Sequence, residues 1–266
     1  MPFTYLNLYS NKNAIYYLKY EWYNINNDGG AFMWPKLFGI EHISYIIIST
    51  IIGILCVIIS YKFAKTEKAK TIIIKILGIL LFAAIMTNRL SQVFRYDDVR
   101  WYCIIPDSYC GMTSLVLSLS VIFGKKDNCI LHFVWLLGIF GGISTVIYAS
   151  FVGQGPTIFY LPTISGLLHH SLSALLVVML LIFKQINVTY KKWYYSLVGF
   201  GCYILVGVFL MKAFNLNDAF HLVEPLISGT PLTTWVMAPM YIVGYALVLF
   251  CVEILKKNKI IKDDIT

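Results

Sequence analysis

A cysteine and a pair of histidines are the residues of this chain whose chemistry could open an ester. Cys110 follows Pro106-Asp107-Ser108-Tyr109 at the start of an apolar run, and His169 and His170 sit about halfway along another. A thiol becomes a nucleophile when a base takes its proton and a cavity admits an acyl donor. Further polar groups accompany them. His42 stands beside Glu41 at the head of the first apolar run, and Asn215, Asn217, Asp218, His221 and Glu224 fill the segment after the sixth. In a bilayer such groups are costly and are functional candidates by default. Cys110, His170 and His169 are therefore the catalytic candidates, and His42, Glu41 and Asn217 the candidates for binding substrate.

Each has a plainer reading. A lone Cys110 behaves as a small buried apolar residue. His42 reads equally as an interfacial side chain bonded to Glu41. Adjacent helical residues point about 100° apart, so at most one of His169 and His170 is expected at a given site, the other bonding a neighbouring helix. His132 reads as structural, and His221 as a loop histidine.

Other chemistries are absent from the sequence. The six cysteines form no C-x-x-C pair, so no metal site is expected. A disulfide between Cys103 and Cys110 remains open. There is no P-loop, dinucleotide fingerprint, H-E-x-x-H or G-x-S-x-G, and no cofactor is expected. Gly138, Gly141 and Gly142 read as close helix packing.

The elements that position these residues follow from composition. Of 266 residues, 59% are hydrophobic and 13% charged, with a mean hydropathy of +0.74. That is too little charge to coat a water-facing surface. Seven apolar stretches, roughly 40–61, 71–88, 107–124, 129–151, 158–183, 193–213 and 234–255, approach the length needed to cross a bilayer. The expected fold is all-α: a polytopic membrane protein of about seven transmembrane helices. Lysine runs follow the first, third, fifth and seventh stretches: Lys62 to Lys70, Lys125-Lys126, Lys184 to Lys192 and Lys256 to Lys262. The positive-inside rule puts these runs in the cytoplasm, the N-terminus outside and the C-terminus inside. The net charge of +8 thus reports orientation and not nucleic-acid binding. Arg89, Arg95 and Arg100 in the outer segment are expected to pair with Asp97, Asp98 and Asp107. Gly153-Gln154-Gly155-Pro156 is a turn signal. Residues 1–39 form an extracytoplasmic segment without a cleavable signal sequence, 40–255 the transmembrane domain, and 256–266 a basic cytoplasmic tail.

Four segments resemble a known family. Phe38-Gly39-Ile40-Glu41-His42-Ile43 is similar to the F-S-x-E-H opening of the YwaF-like integral membrane proteins, bacterial relatives of transmembrane protein 164. Ile105-Pro106-Asp107-Ser108-Tyr109-Cys110 resembles the family's L-P-x-H-x-C segment, and Leu167-Leu168-His169-His170-Ser171 its histidine-bearing fifth helix. Asn217-Asp218-Ala219-Phe220, with Pro225 following, resembles its N-Y-M-F…P segment. Order and spacing agree over roughly 36–252. The resemblance implies a multi-pass protein of the cell membrane, in a bacterium the plasma membrane, and a phospholipid acyltransferase activity. Cys110 would be the nucleophile, His170 or His169 the base, and Asn217 and His42 supporters of the cavity. The family's histidine two residues before the cysteine is Ser108 here.

The leading expectation is a lipid acyltransferase or lipid-remodelling enzyme in contact with membrane lipids, acting on a lipid or small-molecule substrate. Two alternatives stand beside it. One is a transporter or substrate-binding subunit without covalent chemistry. The other is a non-catalytic scaffold whose lysine-rich edge meets anionic lipid.

Overall fold

The computed structural model describes residues 37–94, 99–149, 152, 157–227 and 229–258. The expectations for Arg95, Asp97 and Asp98, for the 153–156 turn, for Lys259 and Lys262, and for most of the N-terminal segment and the tail lie outside these residues. The described chain is all-helical. In order come α1 (Ile40–Phe63), α2 (Glu67–Val93), α3 (Tyr109–Phe123), α4 (Cys129–Ile147), α5 (Leu161–Ile182), α6 (Tyr194–Phe214) and α7 (Thr234–Lys257). Two short 3₁₀ turns, Trp101–Ile104 and Tyr190–Lys192, precede α3 and α6.

Six of these helices are long and apolar enough to cross a membrane, and α3 is the shorter apolar one at 15 residues. Its limits have local causes. Ser108 caps its start, with Oγ accepting from the Gly111 N–H at 3.4 Å, and Gly124 closes its end. At about 1.5 Å per residue α3 falls short of the hydrocarbon thickness. It is sheltered by neighbours instead, with Leu117 and Ser118 wholly buried. The second helix outruns its expected stretch of 71–88. Thr66 caps it four residues early, accepting from the Ala69 N–H at 3.1 Å, and it runs on to Val93.

The core lies where α2, α3, α4 and α5 meet, around Leu81, Ile85, Leu117, Val134, Leu176 and Val177. Gly138 and Gly142 let α4 approach α5. A Cβ on Gly142 would stand 2.6 Å from the His170 carbonyl oxygen. The first helix is peripheral, with His42 its one buried residue.

The lysine-bearing connections gather at one end. Lys126 pairs with Glu67 at 3.4 Å, and the Asp127 N–H donates to the Gln185 carbonyl at 2.9 Å. The Asp127 carboxylate then ties this connection to α4 and to the connection between α5 and α6. It accepts the Asn187 N–H at 2.7 Å, stands 2.7 Å from His132 Nε2 and pairs with Lys192, while Lys256 reaches Asn187. Burial pushes the Asp127 carboxyl up, but the Lys192 and Asn187 hydrogen bonds and the nearby positive charge outweigh it, holding it below the usual carboxylate range. His132 is structural, as its place in this clasp shows. Asp127→Asn should cost about 1 kcal/mol at neutral pH and lower the melting temperature by a few degrees. A depressed folded-state pKa gives stability that is present above the ordinary aspartate value of about 4 and lost as pH falls through the depressed one. The gap between wild type and variant in a detergent melting series should therefore close in acid.

Candidate functional site

At the end opposite the lysines, the helices enclose a cavity of about 730 Å³, within the usual range for ligand pockets. The start of α3 brings in Cys110, and α4 supplies Gly141 and, one turn on, Thr145. His169 and His170 come from α5, Asn88 and Arg89 from the end of α2, and Met237 from α7. His221 and Leu226, from the connection between α6 and α7, complete the wall.

The half-buried Cys110 thiol is in no disulfide and lies beside the Thr145 side chain in the cavity wall. Its Sγ lies 3.2 Å from the place a Cβ would occupy on Gly141. The His170 ring lies beside the Gly141 backbone in the same wall. Thiol and imidazole thus border the same residue of α4. His169, on the neighbouring face, places Nδ1 3.1 Å from Ser114 Oγ of α3, and the two rings lie 4.2 Å apart, centroid to centroid.

Both histidines line the cavity, against the expectation that only one would. The 100° between adjacent residues does separate them, His169 towards α3 and His170 towards α4. The cavity spans both directions because α5 packs against both helices. Cys103 and Cys110 are not joined, so the disulfide left open by the sequence is not formed. Gly141 also departs from its expected role. A Cβ there would meet only the Cys110 sulfur, so it frames the site, whereas Gly138 and Gly142 meet α5.

The candidates for binding substrate stand elsewhere. Glu41 Oε2 accepts from the Ile158 N–H at 2.9 Å. His42 Nδ1 accepts from the Phe38 N–H at 3.1 Å, which leaves Nε2 to donate to the Val146 carbonyl at 2.9 Å. Both ring nitrogens are committed to backbone, and the pair fastens α1 to the bundle. His42 bonds Val146 rather than Glu41. Asn217 is exposed and is not among the lining residues. Ser108 is in the cavity wall, but its hydroxyl serves as the cap of α3.

Sequence reasoning passed over Asn88, Ser114 and Thr145, and read Arg89 and His221 as loop residues. Asn88-Arg89 at the end of an apolar stretch was a usable signal, since ionisable groups inside spans face cavities. For His221 there was none. It reaches the cavity because Phe220 and His221 both adopt φ of 55°, turning the chain back over the bundle. The Phe220 N–H donates to the Asp107 carbonyl at 2.7 Å and the Thr234 N–H to the His221 carbonyl at 2.8 Å, which holds this unfavourable backbone.

The two glycines separate packing from chemistry. Gly142→Ala should cost about 1–3 kcal/mol by overpacking α4 against α5, read as a lower melting temperature. Gly141→Ala should leave the melting temperature within a degree or two of wild type and displace the thiol, read as a changed rate of maleimide labelling at Cys110.

A family profile described as the TMEM164 family matches residues 37–255. No curated protein and no solved structure matches the chain.

Proposed function

The chain belongs to the TMEM164 family and is a multi-pass membrane protein, and from that premise we propose that it transfers acyl groups between lipids through the Cys110 thiol. The observation that carries this reading is the gathering of Cys110 Sγ, 3.2 Å from the Cβ position of Gly141, and the His170 ring in the wall of one cavity. The cavity wall supports a lipid substrate. Phe140 lines it and is also 71% exposed on the outer surface of α4. An acyl chain could therefore enter sideways from the bilayer while its ester reaches the thiol.

The steps balance as two acyl transfers. A ring nitrogen of His170 takes the Cys110 proton, and sulfur attacks the ester carbonyl of a lipid donor. The carbon–sulfur bond forms, the ester carbon–oxygen bond breaks, and the departing alkoxide takes the proton from the imidazolium. A hydroxyl of an acceptor lipid then enters, gives its proton to His170, and attacks the thioester. The carbon–sulfur bond breaks and the thiolate recovers the proton. The Thr145 side chain lies beside the thiol on the α4 side, and Ser114 holds the His169 ring against that of His170.

The same reading sets the protein in a bacterial plasma membrane, near the YwaF-like branch of the family. The lysine-bearing end then faces the cytoplasm and the cavity faces outward.

The test is covalent. Purified protein in non-ionic detergent is incubated with a phospholipid donor, quenched in acid and analysed by intact-mass and peptide spectrometry. An added acyl mass on Cys110, removed by neutral hydroxylamine, is the expected result. Lipid turnover in the absence of any such adduct, or an unmodified protein that merely retains lipid, overturns the reading.

A further inference from the structure

We propose that Arg89 is the anion anchor of this cavity, selecting a ligand that carries a compact oxyanion such as a phosphate ester. The inference deepens the acyl-transfer reading, on which it rests for the identity of the pocket. Among the described residues that line the cavity, Arg89 is the one with a permanent charge, and no lysine, aspartate or glutamate joins it. A cation in an apolar, membrane-embedded wall calls for an anionic partner.

The guanidinium is held in place by a buried relay. Asn88, 3% exposed, donates through Nδ2 to the Pro162 carbonyl at 3.0 Å and to Ser165 Oγ at 3.2 Å. Its amide is thereby fixed with Oδ1 towards Arg89, which donates to it from Nη2 at 2.9 Å. The second contact is looser. Asp107 lies 3.4 Å from Nη1, with its own side chain 56% exposed. The third donor, Nε, is buried and has no hydrogen-bond partner. An arginine fixed by its neighbours, with a donor unmet and only one outlying carboxylate, is preorganised for the two-point recognition that suits phosphate oxygens. Its presence in the same wall as Cys110 puts the anionic group of the ligand and the reacting ester in one enclosure.

The test uses the full chain in non-ionic detergent and three probes: 1-oleoyl lysophosphatidic acid, 1-oleoylglycerol of the same chain length, and inorganic phosphate. Wild type should bind the phosphate-bearing lipid at least tenfold more tightly than the neutral one. Arg89→Gln should erase that preference while leaving 1-oleoylglycerol binding unchanged, and Arg89→Lys should restore part of it. Inorganic phosphate that competes at millimolar concentration makes the free anion sufficient. If it does not compete, the headgroup is read only with its chain attached. Both results support the anchor. Equal affinity of wild type for the two lipids overturns the proposal without any variant, as does an Arg89→Gln protein that keeps the preference. An arginine-dependent preference without an acyl adduct would fell the acyl-transfer reading and leave this one standing.

Discussion

Replacing Cys110 by alanine should abolish the acyl adduct and lower lipid transfer by at least about 10³-fold, because the covalent route then has no nucleophile. Serine is the sharper substitution. It keeps the size and the contact at Gly141, so the fold and the cavity should be unchanged. A hydroxyl is nevertheless a far weaker acid than a thiol, and His170 alone must then generate an alkoxide in an apolar wall. Transfer should fall nearly as far as in the alanine variant, and any adduct that forms should be an ester resistant to neutral hydroxylamine. Melting temperature and lipid binding serve as controls. Unaltered transfer in both variants removes Cys110 from the chemistry and assigns the transfer to another group of the cavity.

The membrane fold was legible because it rests on quantities that the sequence states directly. Low charge, long apolar stretches and lysine runs on alternate connections require helices that cross a bilayer, and the run at 107–124 does become the short α3. Its shortness was less visible, since capping by Ser108 is a local event inside an otherwise apolar stretch. The site was legible only in part. Cys110, His169 and His170 stand out as polar groups within spans, and the cavity gathers all three. Glu41 and His42 stand out for the same reason, yet they meet backbone groups of Ile158, Phe38 and Val146. Residue type alone does not separate a polar side chain that faces a cavity from one that fastens two helices. That distinction depends on helix rotation and crossing, and the weak alternation of polarity along these helices does not fix it. Arg89 shows the converse. The sequence places it in an ion-paired outer segment, and it does meet Asp107 at 3.4 Å, but α2 extends past it and turns it towards the cavity.

The second large effect belongs to His170. His170→Gln should lower transfer by about 10²–10⁴-fold, the usual worth of a positioned general base. Glutamine keeps a polar side chain beside Gly141, so α4 and α5 should stay together, but its amide accepts no proton. His169→Gln should cost less. His169 is bonded to Ser114 on the α3 side and acts on His170 through ring contact alone. Ser114→Ala should reproduce that smaller loss. A simple packing role for His170 would give similar losses at both positions and a lowered melting temperature. His170→Gly separates the two accounts. It removes the ring entirely and opens room beside Gly141, so added imidazole should recover part of the lost rate while leaving the melting temperature where it was. Recovery that fails in His170→Gly, in a protein whose cavity still binds lipid, would assign proton transfer to another group. His221, across the same cavity, is then the next residue to replace.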